Sequence, residues 1–224
     1  MKPATRRGIA LDDPSDLARR TALVECDARV RACRLCHAAG YLAGPASTPA
    51  VFDPELDAPV PRILLIGQAP GLKGNQIAHP FEGPSGDRLR VWLDAGGIAR
   101  EDFWRKIHFT AVTRCYPGRL PNAKGDRLPS HTERGLCRPW LDEVRGLVDP
   151  EVVLLLGLLA IRTVLGPVPS LSSIVGTSRA IDGVRYLPLP HPSGVSRWLN
   201  DGPNVEAVAR AMIELRAWVD ELEL

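Results

Sequence analysis

Three groups of residues in this 224-residue chain have types and spacings that could do chemistry. The first is a set of cysteines: Cys33 and Cys36 in a Cys-x-x-Cys, then Cys115 and Cys137 far along the chain, each beside an arginine. Thiolates spaced this way are soft ligands, and four of them suit zinc or an iron–sulfur cluster equally well. Such a clip would join an N-terminal segment to the middle of the fold. Cys26 lies outside the pattern and reads as an ordinary thiol. The second group is the Gly67–Gly71 turn, Gly-Gln-Ala-Pro-Gly. The third is His191-Pro-Ser, near the end of the chain. A histidine can donate a hydrogen bond or move a proton near neutrality, whereas Gln68 and Asn75 can only orient a water or hydrogen-bond a ligand.

The elements that must position these groups follow from the apolar pattern. Residues 62–67, 107–113 and 152–157 are short apolar runs, the first and third ending in glycine, as expected of buried parallel strands opening into loops. A fourth strand is expected at 186–190, with its prolines suggesting an edge or strand-end position. Helical patterns run from Ser15 into the first cysteine pair, from Ser85 (read as the cap), from Thr132 to Val148, and from Val205 to Leu222. Four prolines within residues 42–60 mark an extended connector, and residues 116–131 form a long basic loop. Alternating strands and helices predict a three-layer α/β/α sandwich with a mostly parallel sheet of about four strands. The chain divides into an N-terminal tail over residues 1–13 and a single domain over 14–224. In such sheets ligands bind beyond the carboxyl ends of the strands. The Gly67–Gly71 turn, Arg114-Cys115, Gly157 and His191 all fall at that rim.

Composition narrows the class. A net charge of +2 gives no global basic field. Charge is uneven, however, with six bases against two acids between Arg114 and Arg138. That excess fits either a solvated loop or a phosphate-contacting patch. The charged N-terminus is followed by no apolar stretch, so no secretory signal is expected. The longest apolar run, Val152–Ile161, is ten residues, too short to span a membrane. A cytoplasmic, reducing location is expected, where cysteines read as ligands rather than disulfides.

Gly-Gln-Ala-Pro-Gly after a strand, Pro80-Phe81 beyond it and the C-terminal His-Pro-Ser resemble the uracil-DNA glycosylase superfamily. The cysteine segments Cys33–Cys36, Thr113–Cys115 and Leu136–Trp140 resemble its iron–sulfur-containing branch, family 4 and family 5. The stretch from Gly74-Asn75 through Ser85-Gly-Asp87 looks closer to family 5.

The resemblance implies a monofunctional glycosylase that flips uracil, and potentially other deaminated bases such as hypoxanthine, out of DNA and hydrolyses the N-glycosidic bond. It assigns His191 as donor to the departing base, with Gln68 and Asn75 as the other catalytic candidates. Phe81 would stack on the base, and Gly67, Ala69, Pro70, Gly71, Ser193 and Arg197 would contact substrate. Cys33, Cys36, Cys115 and Cys137 would hold a [4Fe–4S] cluster of structural role, with zinc the alternative occupant. The loop around Val195, Arg197 and Trp198 would supply a minor-groove wedge, or Trp198 would instead pack inward. The implied partner is DNA containing a damaged base, met by a monomer in the nucleoid-associated cytoplasm.

Two positions depart from family 4. Gln68 stands where that family has Glu, and Ala111 where it has a uracil-reading Asn. These departures open a different reading, a damage-binding protein that keeps the fold and cluster but has weak or no catalysis. A related subfamily traps its product through a histidine in the basic loop. Asp126 occupies that position and His131 is out of register, so covalent trapping is not expected.

Overall fold

In a computed structural model, the described residues are 13–42, 58–77, 79–121, 125–194 and 197–224. They form a five-stranded sheet in the order β2-β1-β3-β5-β4. The strands are β1 (Ile63–Gly67), β2 (Ile107–Ala111), β3 (Val152–Leu156), β4 (Arg179–Ile181) and β5 (Val184–Leu189). All pairings are parallel except β4 with β5. β1, β3 and most of β2 are buried on both faces, which is why they read as continuous apolar runs.

Alternate residues of each strand feed two cores. Ile63, Leu65, Phe109 and Leu154 face α4 (Pro84–Ala95) and α7 (Gly202–Leu222). Leu64, Ile66, Val153 and Leu155 face α1 (Pro14–Ala32), α5 (His131–Val148) and α6 (Leu158–Leu165). The result is the expected three-layer sandwich. Two short helices, α2 (Leu35–Ala38) and α3 (Leu72–Ile77), follow Cys33-Arg34 and the Gly67–Gly71 turn.

Several local expectations need correction. The fourth expected strand is β5; it lies inside the sheet between β3 and β4, so its prolines mark the strand end and not a sheet edge. Its Pro188 is tolerated because β4 pairs only as far as Tyr186. Arg185 donates to Glu151 and Leu189 accepts from Gly157, so alternate residues of β5 serve β3, while Pro188 points to the side where β4 has already ended. Ser85 does not cap α4. Gly83, at φ 99°, is the N-cap, and Pro84 takes the first helical position, where a missing N–H costs nothing. Asp13 belongs to the fold rather than to the tail, since its carboxylate accepts the Ser15 N–H at 2.8 Å and caps α1. Residues 1–12 and the connector over 43–57 lie outside the described residues.

Candidate active site and cysteine pocket

The carboxyl ends of β1 and β2 are held in register, Gly67 opposite Ala111. Beyond them the chain stays coupled, as Val112 donates to the Gly67 carbonyl at 3.0 Å and Thr113 to the Gln68 carbonyl at 3.2 Å. Above this seam opens a cleft of about 570 Å³. It is lined by Gly67, Gln68, Ala69, Pro70 and Gly71 of the turn, with Phe81, Ala111, His191 and Ser193 around it. β1 feeds β2 on one side and neighbours β3 on the other, so the cleft sits where open α/β sheets place their ligands.

Each wall has a local cause. Phe81 adopts a left-handed backbone (φ 56°) and packs on Phe109 with centroids 5.5 Å apart. It is half-buried against the core while lining the cleft. Gly86 makes this possible, because a Cβ there would stand 1.6 Å from the Phe81 carbonyl oxygen. On the opposite wall, Arg88 of α4 donates to the Pro192 carbonyl at 3.1 Å and pins the His-Pro-Ser turn. The Ser193 N–H donates to Nδ1 of His191 at 3.2 Å. A neutral imidazole that accepts at Nδ1 carries its proton on Nε2, which is then a donor. Burial pushes the His191 pKa down, against the opposing pull of the Asp126 charge.

Some expected residues lie elsewhere. Asn75 is not among the residues lining the cleft; its Oδ1 accepts the Tyr116 N–H at 3.3 Å. Arg197 is exposed at the start of a short 3-10 turn, Arg197–Asn200. Trp198 packs inward: its indole N–H donates to Ser172 Oγ at 2.8 Å and its ring abuts the core. Val195 lies outside the described residues. Asp87 pairs with Arg90 at 3.2 Å on an exposed face.

Part of the basic segment is consumed internally, and Arg138 forms an exposed pair. Arg114 is buried, Arg127 forks onto Glu133 with both bonds at 2.7 Å, and Arg138 pairs with Asp142 at 2.6 Å. Lys124 lies outside the described residues.

The four pattern cysteines line one pocket, walled by Val30, Leu35, Leu42, Leu136 and Trp140. Burial pushes the Cys115 thiol up to about 12 and the Cys137 thiol up to about 11. Among the described residues, no three His, Cys, Asp or Glu side chains are drawn together tightly enough to hold a metal ion as they stand. The fit to a cluster therefore rests on donor chemistry: four soft thiols from α2, its N-terminal approach, the end of β2 and α5 around one apolar pocket. Cys26 is separate and fully buried in the core under α1.

Sequence reasoning placed Arg114 at the rim but did not give it its double role. It lines both the cysteine pocket and the cleft. Its guanidinium donates to Thr110 Oγ1 at 2.5 Å and to Asp27 at 3.3 Å, and its backbone N–H donates to Cys137 Sγ at 3.2 Å. A single arginine beside a cysteine carries no periodic signal that could have announced this.

Comparison with known proteins places the chain in a family. Residues 54–216 match the family model described as the Uracil DNA glycosylase superfamily, and the chain belongs to that superfamily. The chain is 29% identical over 103 residues to the type-4 uracil-DNA glycosylase of Pyrobaculum aerophilum, covering 46% of this chain and 47% of the relative. It is 29% identical over 138 residues to that of Thermotoga maritima, covering 61% and 67%. It is 32% identical over 95 residues to that of Archaeoglobus fulgidus, covering 42% and 43%. Apart from the Thermotoga match, the aligned stretch spans under half the length of these relatives.

Proposed function

We propose that this protein is a monofunctional DNA glycosylase that excises uracil, and also hypoxanthine, from DNA. The observation that carries the reading is the convergence of the Gly67–Gly71 turn, Phe81 and the Nε2 donor of His191 on one cleft. A base inside a duplex is out of reach, so the nucleotide is flipped into the cleft at a cost of a few kcal/mol. Phe81 offers a π-face to the base. As the glycosidic bond breaks, negative charge grows on the base and His191 Nε2–H hydrogen-bonds to it. Backbone groups of the turn and Gln68 orient the base and the attacking water. Ala111 offers no side-chain amide to read the base edge, which supports acceptance of bases beyond uracil.

Cys33, Cys36, Cys115 and Cys137 would hold a [4Fe–4S] cluster. That group would supply a structural tie between the α1–α2 segment, the start of the basic loop and α5. No helix among the described residues is long and apolar enough to cross a membrane. The protein is proposed to act as a monomer on DNA in the cytoplasm, with Arg197 and Ser193 touching the strand beside the flipped base.

Gln68 and Ala111, both in the cleft, also support a second reading: a damage-binding protein of weak or no activity. Oligonucleotides carrying one uracil or one hypoxanthine, single-stranded and paired, separate the two after alkaline cleavage of abasic sites. Strand scission is expected on both bases. Tight binding of damaged DNA without scission, at enzyme in excess, supports the second reading and overturns the first.

A further inference from the structure

The cleft has a carboxylate of its own that does not come from the Gly67–Gly71 turn. Hydrolysis of a glycosidic bond leaves a cationic sugar and requires a water to lose a proton, and Gln68 can do neither service. Two carboxylates are among the residues lining the cleft, Glu82 and Asp126. Glu82 is next to Phe81 in the chain and is engaged by His79, Nδ1 to Oε1, at 3.1 Å. Asp126 approaches the turn from the other side. Its Oδ2 lies 4.0 Å from where a Cβ on Gly71 would sit, while its Oδ1 accepts the Tyr116 hydroxyl at 2.8 Å. It is also the charge that opposes burial at His191, so carboxylate and imidazole are coupled within one cleft.

The placement of Asp126 is built rather than incidental. Residues 118–120 and 125–127 run antiparallel: Arg119 bridges Asp126, Leu120 donates to Gly125 at 3.1 Å and Arg127 donates to Gly118 at 2.9 Å. The next side chain, Arg127, anchors the loop on Glu133 with two bonds of 2.7 Å and on the Tyr41 carbonyl at 2.9 Å. Tyr116, which orients the carboxylate, is itself held by Asn75 Oδ1 at 3.3 Å. A chain of contacts thus runs from Asn75 through Tyr116 to Asp126, whose Oδ2 stands beside Gly71 of the turn.

We propose that Asp126 is the general base of this enzyme, replacing the carboxylate missing at Gln68. The proposal rests on the glycosylase reading. Asp126 Oδ2 takes a proton from a water that Gln68 orients. The water oxygen bonds to the sugar C1′, the C1′–N bond breaks, and its electron pair leaves on the base, where His191 Nε2–H hydrogen-bonds to it. The proton on Asp126 then passes to solvent or to the departed base. While the bond breaks, the carboxylate also stabilises the positive sugar. Tyr116 is a positioning residue, and Asn75 acts through it.

The test is single-turnover excision of uracil from a single-stranded oligonucleotide by the full chain, with DNA binding and thermal unfolding measured on the same samples. D126N and D126A are expected to slow excision by about 10²–10³-fold with binding and unfolding unchanged. Added formate, a small carboxylate, is expected to restore part of the rate to D126A and none to H191A. Wild-type rates in D126N overturn the assignment. So does a slow D126A that ignores formate, which would mark a structural role. A wild-type protein that excises neither uracil nor hypoxanthine overturns the glycosylase reading itself; an active wild type with an unaffected D126N overturns the base assignment alone.

Discussion

Ser193 fixes the proton of His191: its backbone N–H donates to Nδ1 at 3.2 Å, leaving Nε2 as the protonated nitrogen. Burial disfavours the imidazolium and pushes the pKa below its ordinary value, so the neutral donor form persists as the pH falls through 6.5. Excision by the wild type should therefore hold its rate below pH 6.5, where a solvent-exposed histidine would already be mostly charged. His191→Ala should lower the single-turnover rate by about 10²–10³-fold, the usual loss when one donor to a developing anion is removed, with DNA binding kept. A rate profile breaking near 6.5, or an active H191A, would contradict this role.

Gly86 and Phe81 form a second coupled pair. A Cβ at position 86 would collide with the Phe81 carbonyl oxygen at 1.6 Å, and backbone cannot move aside cheaply. Either the start of α4 shifts or Phe81 leaves its left-handed conformation. Gly86→Ala should cost about 1–3 kcal/mol in urea unfolding, as overpacking does, and lower excision further by displacing the ring. Gly135 in α5 is the control, because a Cβ there meets nothing within 4 Å. Gly135→Ala should be neutral or stabilising by up to about 1 kcal/mol.

The sequence announced what has a period or a motif. β1, β2 and β3 are apolar runs because both their faces are covered, the Gly67 turn and His191 stand at strand ends, and Phe81 follows the turn in recognisable order. β4 gave no sign because its three residues are all exposed, and the strand exists through pairing with β5. The end of β3 at Gly157, whose φ is 87°, was legible, but α6 just beyond it was not, because its Leu158–Leu165 stretch is almost wholly apolar and shows no polar face. The basic segment misled for a related reason. Counting charges cannot tell that Arg114 and Arg127 are spent on Asp27 and Glu133, because those pairings depend on how α1 and α5 pack. Asp126 was read as the residue that replaces a trapping histidine, and only the antiparallel fold-back of its loop brings it beside the turn.

Arg114 joins the two halves of the site, and its loss should be felt in both. It and Asp27 are both almost fully buried, and removing one partner strands the other charge in the interior. Arg114→Ala should destabilise the fold by about 3–5 kcal/mol in chemical unfolding. Pairing Arg114→Met with Asp27→Leu should recover much of that loss, since neither charge then remains buried. If the four cysteines hold the proposed cluster, the single variant should also lose iron more readily than the wild type, because the backbone N–H of residue 114 is then less firmly held on Cys137 Sγ. Unfolding midpoints and iron per chain measure the two effects separately.

His108, in the middle of β2, makes acid the weak side of this fold. It is fully buried, and burial first, then the Arg114 charge, lowers its pKa from 6.5 to about 3. In the unfolded chain it titrates near 6.5. Below that pH the unfolded state binds a proton that the folded state refuses, so stability is full above 6.5 and is lost as the pH falls toward 3. Each pH unit in that window removes about 1.4 kcal/mol, so moving from pH 6.5 to 4.5 should remove about 2–3 kcal/mol from this residue alone. His108→Gln keeps a polar side chain of similar size but cannot take up the proton. Urea unfolding at pH 7.5 and 4.5 should show a smaller acid loss in the variant than in the wild type, by about that amount. Equal acid losses in the two proteins would mean that His108 is protonated in the folded state at pH 4.5.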